Sequence, residues 1–269
     1  MKQSVSPEVK KRVRVAIPFP MLVERYLPLV LQERIQPEVG LDHQALDLFP
    51  RGEFKRVAQE LLAAGISVSV HAPFCDLSPG AFDSLVRRAS LERLLLALEI
   101  AQDFQAEVLV FHSGYHPGYH RERQKAWQGI FRQALEEIAA RAEKFRLRVA
   151  LENVFEPSPD LFTPLVESID SPYLGYCFDA GHALAFAQSN WRPWLEAFQK
   201  RLFELHLHDN DGSWDQHLVP GKGVIPFPEI FAYLRERGLS PALTYEAHRE
   251  EDVLPGLAYL ERLLFSRSS

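Results

Sequence analysis

Short runs of aliphatic and β-branched residues alternate along the chain with longer stretches whose apolar positions recur at helical spacing. The runs fall at Val13–Ile17, Val39–Asp42, Ile66–His71, Glu107–His112, Arg148–Glu152, Leu174–Asp179, Leu202–His206 and Ala242–Glu246. They recur about every 30–35 residues and are too short for buried helices, so each reads as a strand. Helices are predicted between them at Phe54–Ala64, Leu85–Phe104, Arg121–Phe145, Trp191–Gln199, Phe227–Arg237 and Val253–Phe265. In Leu85–Phe104, Leu91, Leu94, Leu95, Leu98 and Ala101 share one face, while Arg87, Arg88, Glu92 and Arg93 fill the other. Gly65 and Gly238 follow helical patterns directly, where a left-handed residue closes a helix. Such alternation implies parallel strands joined by crossover helices. With no linker or change of composition in 269 residues, the expected architecture is α/β, a single (β/α)8 TIM barrel spanning residues 1–269 rather than a doubly wound sheet with a second domain.

The polar positions carry the next inference. Strands three to eight end in His71, His112, Glu152, Asp179, His206 and Glu246, each after an apolar run and before a loop. In a parallel barrel all C-terminal strand ends share one rim, so these six groups converge on one mouth. A lone strand-end His or Glu usually serves only to hydrogen-bond a loop. Three carboxylates crowded together, however, raise one another's pKa unless cations hold them, which makes a metal centre the economical reading. His182 stands three residues past Asp179, and Asp215 and His217 lie one residue apart on a glycine-punctuated loop. Asp209–Gly212 reads equally well as a plain turn.

Composition narrows the class. The 30 Lys and Arg against 36 Asp and Glu give a net charge of −6, which counts against broad binding of duplex DNA. No apolar run approaches the roughly 18 residues of a membrane span. The basic N-terminus has no apolar core followed by a cleavage site, and two cysteines make no disulfide framework, so a cytoplasmic protein is expected. Cys177 is expected to be a buried small residue, and Cys75, near the rim, an ordinary loop thiol or a soft ligand. Lys10-Lys11-Arg12-x-Arg14 leads into the first strand at the opposite rim and reads as a solvated face.

Taken together, His71-Ala72-Pro73, Phe111-His112-Ser113-Gly114, Leu151-Glu152-Asn153, Phe178-Asp179-Ala180-Gly181-His182, His206-Leu207-His208-Asp209, Asp215-Gln216-His217 with Gly221-Lys222-Gly223, and Tyr245-Glu246 resemble the xylose-isomerase-like TIM-barrel superfamily. It holds sugar isomerases and epimerases together with zinc-dependent apurinic endonucleases. The likeness runs from about Ile66 to Glu246, and strands one and two match by position only. For the isomerases and epimerases it implies one divalent ion on Glu152, Asp179, His206 and Glu246. For the endonucleases it implies two further ions, on His71 and His112 at one side and on His182, Asp215 and His217 at the other. All nine residues are present.

Two chemistries follow from the resemblance. In the first, one Mn, Mg or Co ion, with Zn or Fe as alternatives, stabilises the enediolate of a small sugar or sugar phosphate. Glu152 and Glu246 then act as general base and acid, and His182 bonds a substrate oxygen. Trp214, Lys222 and His208 are the expected substrate contacts, with Phe74 as a second wall, while Tyr115 and Tyr119 mark a lid or specificity loop. In the second, two or three zinc-type ions hydrolyse a phosphate ester, with Glu152 bridging two of them. A substrate of nucleic acid is disfavoured because the loop after strand seven is acidic and Arg121–Phe145 mixes Arg with Glu. A non-catalytic metal or ligand binder would show the same residues, although clustered ionisable groups are the mark of enzymes.

Overall fold

Each aliphatic run becomes a strand, and the strands close on themselves. In the computed structural model, which describes residues 5–265, β1 (Arg14–Pro18), β2 (Pro37–Gly40), β3 (Ser69–His71), β4 (Val108–His112), β5 (Arg148–Glu152), β6 (Leu174–Asp179), β7 (Leu202–Leu207) and β8 (Ala242–Tyr245) form a closed barrel in chain order. Every neighbouring pair is parallel, including β8 against β1. The architecture is therefore the expected (β/α)8 barrel. Strand bounds differ from the pattern-based ones by a few residues at most, β3 being shortest because only its last three residues enter the ladder.

All six expected helices are present, the longest being Ser84–Asp103 and Gln124–Phe145. Their apolar faces bury Leu94, Leu98 and Ala101, and Trp127, Phe131 and Ile138, against the outside of the barrel. Inside the barrel the filling is small and partly polar: Val108, Val110, Ala150 and Cys177 form a compact apolar layer. Cys177 is buried as expected, and Cys75 is exposed.

The chain between β1 and β2, for which the sequence pattern predicted no helix, carries regular structure. It is helical almost throughout, as Phe19–Met21, Leu22–Tyr26 and Leu27–Glu33. Pro20 and Pro28 hide this in the sequence, yet each occupies the first turn of its helix, where a missing N–H costs nothing. The middle turn is widened, with the Leu27 N–H reaching back to the Leu22 carbonyl, one residue before the donorless nitrogen of Pro28. Phe19 anchors the segment. It is fully buried, stacks on Phe54 at 4.2 Å between ring centres and meets Phe104 edge-on.

The basic N-terminal run is the solvated face its composition suggested only in part: Lys11 is exposed and Lys10 and Arg12 partly so, but Arg14 is not. Arg14 is buried at the lower end of the barrel, where it pairs with Glu107 at 2.5 Å and Ser67 at 2.9 Å. No helix among the described residues is long and apolar enough to cross a membrane.

Phe19 carries the docking of an otherwise proline-broken segment. Phe19→Ala should therefore destabilise the protein by about 3–5 kcal/mol in urea unfolding. A loss below about 1 kcal/mol would contradict the packing described.

Candidate metal centre

The register of the barrel brings the strand-end residues side by side. His112 pairs with Glu152 across β4 and β5, Asp179 with His206 across β6 and β7, and Glu246 follows β8 directly. Asn153 extends the ladder past the strand ends: its side-chain amide donates to the Asp179 carbonyl at 2.8 Å, and its oxygen accepts the Asp179 N–H at 2.9 Å. This locks Glu152 and Asp179 together. Asp179 also caps the helix Ala180–Ala185 by accepting the His182 N–H at 2.7 Å, which turns His182 back over the mouth. Gly181 is required here, because any β-carbon at that position would overlap the His208 ring.

The loop after β7 is pinned at its base by the antiparallel bridge Asp209–Leu218, with bonds of 2.8 and 2.7 Å. The Asp209 carboxylate accepts the N–H groups of Asn210, Gly221 and Ile225. Asp209 and Asn210 are thus buried at the root of the loop rather than part of a plain surface turn, and they hold up the part that bears Asp215 and His217. His217 takes left-handed backbone geometry, φ 48°, an uncommon state for a side chain of this size.

All nine expected residues meet in one network. Glu152 is its hub: Oε2 lies 3.1 Å from His71 Nε2 and 3.0 Å from His112 Nε2, while Oε1 lies 3.2 Å from both His182 Nδ1 and His206 Nδ1. His206 Nδ1 also faces Glu246 at 3.3 Å. His182 Nε2 and His217 Nε2 both face Asp215 Oδ2, at 3.4 and 3.1 Å. Backbone carbonyls fix three of the tautomers. Ala72, Asn153 and Glu246 carbonyls can only accept, so Nδ1 of His71, His182 and His217 carries the hydrogen. In the neutral ring Nε2 is then a lone pair aimed at a carboxylate. Two acceptors at about 3 Å need a cation between them, either a proton or a metal.

Electrostatics agree. Burial opposes charge on Glu152, Asp179, His182 and His112, but opposite charges together outweigh it on the first three. His206 and His112 hold Glu152 well below the ordinary carboxylate range, and His182 and His208 lower Asp179. Asp179 and Asp215 lift His182 well above a normal imidazole. His112 is the exception, lowered by burial. Further orphans lie at the edges: His208 Nδ1 and Asp215 Oδ1 are buried without hydrogen-bond partners 3.6 Å apart. Within the network, His71, His112 and Glu152 form one set of ligand atoms within 4.8 Å, and His182, His208, Asp215 and His217 another.

The structure revises the remaining expectations. His208 lies within the cluster rather than on its open face. It is buried, with Nε2 2.9 Å from Asp179 and its ring stacked on His217, so it supports the cluster. Lys222 is exposed, with no side-chain partner among the described residues. Trp214 is exposed and meets Phe186, which in turn stacks on His182. Phe74, also exposed, covers His71 and His112 from the other side. Tyr115 is buried against Trp127 and makes no lid, whereas Tyr119 is exposed.

Sequence reasoning missed three acids. Glu38 of β2 points inward, 3.3 Å from His206 Nε2, and accepts from Ser69 at 2.9 Å. Its signal was an acid inside a short apolar strand. Beneath it, burial and the charge of Glu38 push Glu204 up to about 8. Glu156 is buried beside the mouth, where it accepts from Ser113 and from the Val154 N–H. Burial pushes it up to about 7.

The folded chain thus keeps the Glu156 proton to higher pH than the unfolded chain, whose glutamate titrates near 4.5. Stability from this group is complete below pH 4.5 and is lost as pH rises towards 7, by roughly 3 kcal/mol. Glu156→Gln should remove that loss, so the variant's unfolding free energy, compared with metal-free wild type, should gain over this interval. A difference independent of pH would contradict the assignment.

Comparison with known proteins places the chain. Residues 35–264 match the model of the xylose isomerase-like TIM barrel family. The TTHB071 protein from Thermus thermophilus, in crystals soaked with ZnCl2, shares 32% identity and superposes with a TM-score of 0.82, covering 96% of this chain and 100% of that one. A D-tagatose 3-epimerase-like protein shares 26% identity at a TM-score of 0.81, over 94% and 97%. Fructoselysine 3-epimerase from Escherichia coli O157:H7 is 29% identical over 174 residues, 61% of each chain. The barrel, the order of its motifs and these matches together show that the chain belongs to the xylose isomerase-like TIM barrel family.

Proposed function

We propose that this protein is a divalent-metal-dependent isomerase or epimerase of a small sugar, sugar phosphate or related keto-polyol. One observation carries the proposal: Glu152, Asp179, His206 and Glu246, from the ends of four consecutive strands, enter one connected cluster. The names of the epimerase relatives support the same class.

The donor set fits a cation, because its buried lone pairs face one another. Three carboxylates and one imidazole suit Mn, Mg or Co, with Zn or Fe as alternatives. When bound, the ion supplies positive charge against the negative charge that develops on a sugar oxygen as a neighbouring C–H proton leaves. Glu246 is the more open carboxylate, its side chain 15% exposed against 1% for Glu152, and serves as the first base. Glu152 Oε1 faces the His206 side, which leaves Oε2, towards His71 and His112, as the atom for the second proton. Glu38 holds the far edge of the His206 ring and so orients Nδ1. Phe74 and Trp214 flank the cluster as exposed aromatic walls for the apolar face of a sugar.

A second reading, a di- or trinuclear phosphoesterase, is favoured by the imidazole-rich sets on either side. In that case Glu152 Oε2 is committed to the His71–His112 ligand set and is lost to proton transfer. Lys222 would then meet a phosphate. Metal count separates the readings: one tightly held ion fits the isomerase, and two or three zinc or iron ions fit the hydrolase.

Chelation should abolish turnover of ketose substrates, and Mn or Co should restore it. Glu246→Gln should lower kcat/KM by roughly 10²–10⁴-fold with the fold intact by circular dichroism. In D2O, deuterium should enter the reacting carbon of substrate recovered before completion. Cleavage of phosphate esters by the metal-loaded protein, without any such exchange, would replace this proposal with the second reading.

A further inference from the structure

The end of the barrel opposite the metal centre carries an assembly of charge that the chemistry above does not use. A cavity of about 180 Å³ opens there, lined by Lys11, Arg12, Arg14, Gln36, Glu107 and Arg148, with residues 240–242 closing one side. Four cations thus face one carboxylate in a chain whose overall charge is −6. Such a local reversal of sign inside a recess concentrates the field on whatever occupies it.

The single acid is already committed. Glu107 takes Arg14 Nη2 on one oxygen and Ser67 on the other, both at 2.5 Å. Among the described residues, the one hydrogen bond of Arg148 is to the backbone carbonyl of Glu107, at 3.3 Å, with its guanidinium over the Phe203 ring, and that of Arg12 is to the carbonyl of Pro241, at 2.9 Å. Arg14 is 3% exposed, and its Nε has no hydrogen-bond partner among the described residues. A buried guanidinium with an orphaned donor is costly unless another acceptor completes it. Burial and the neighbouring Arg14 charge push Arg12 below the ordinary range for arginine, in line with unneutralised positive charge. Lys10, on the same short helix, instead leaves the recess to pair with Glu33 at 2.7 Å.

We propose that this recess binds a phosphate-type oxyanion, either inorganic phosphate or the phosphoryl group of a small metabolite, through Arg12, Arg14, Arg148 and Lys11. Planar guanidinium forks match tetrahedral oxyanions with paired hydrogen bonds, and a dianion balances most of the surplus charge. The cavity admits a few water-sized volumes of about 30 Å³ each, so it takes a phosphoryl group rather than a nucleic-acid strand. Its position at the strand N-termini separates it from the substrate mouth, and binding there ties β1, β4, β5 and the segment before β8 together.

The test is calorimetric titration of metal-free, full-length protein with inorganic phosphate, and separately with ribose 5-phosphate, at fixed ionic strength. One phosphate per chain is expected. Arg148→Gln and Arg12→Gln, both at partly exposed sites, should each weaken binding at least tenfold, while His182→Ala at the metal centre leaves it unchanged. Tighter binding of ribose 5-phosphate that Arg148→Gln weakens and His182→Ala does not would identify a metabolite as the source of the anion, and equal or weaker binding the free ion. The proposal is overturned if phosphate gives no heat beyond a sodium chloride control, if both arginine variants bind like wild type, or if only His182→Ala loses binding. Loss confined to His182→Ala would place the anion at the metal centre, in line with the second reading of the function, whereas the other outcomes leave the proposed reaction untouched.

Discussion

Glu152 and Asp179 are carried side by side by β5 and β6, each at most 1% exposed, with ligand atoms less than 5 Å apart. At an effective dielectric of 20 two such charges repel by about 3.5 kcal/mol. A domain whose net stability is about 5–15 kcal/mol does not carry that repulsion without positive charge nearby. Much of the upper barrel answers this requirement. Six imidazoles surround the acids, three of them oriented by backbone carbonyls so that Nε2 faces inward. Protons on those rings satisfy the charge in the absence of metal, and a divalent ion bound under the proposed function would replace them, coupling binding to deprotonation.

The scaffold holds this arrangement from below and from the side. Glu38 and Ser69 fix the underside of His206, and Thr244 hydrogen-bonds Glu204 beneath it. Asn153 ties the ends of β5 and β6. The loop bearing Asp215 and His217 hangs from the carboxylate of Asp209, which accepts three backbone N–H groups. Rigid strands thus present the four inner residues, while a pinned loop presents the outer pair. This division matters for function, because the inner set suffices for one ion and proton transfer, whereas hydrolysis of a phosphate ester needs the outer pair as well.

The barrel and the inner site were legible in the sequence because strand ends advertise themselves. An apolar run that stops at His112, Glu152 or Asp179 marks both the element and the side of the barrel where the residue lies. Residues that face the interior from within a strand give no such mark. Glu38 sits second in a four-residue strand, and Glu204 third in a six-residue one, so neither breaks the apolar pattern at an end. Proline obscured the helical run from Phe19 to Glu33, since pattern reading takes it as a breaker although at a helix start it is neutral. His208 continues the alternation of β7 past Leu207 and faces the cluster as His206 does, but its depth depends on the loop bearing Asp209 and on the close approach of Gly181, which no pattern reveals.

Whether a cation sits among these side chains is settled most directly by anomalous diffraction from crystals grown with manganese or zinc. A peak bounded by Glu152, Asp179, His206 and Glu246 is expected, absent from the same crystals after chelation. A fully formed cluster with no anomalous density at millimolar metal, its imidazoles bonded directly to the carboxylates, would contradict the account at its root.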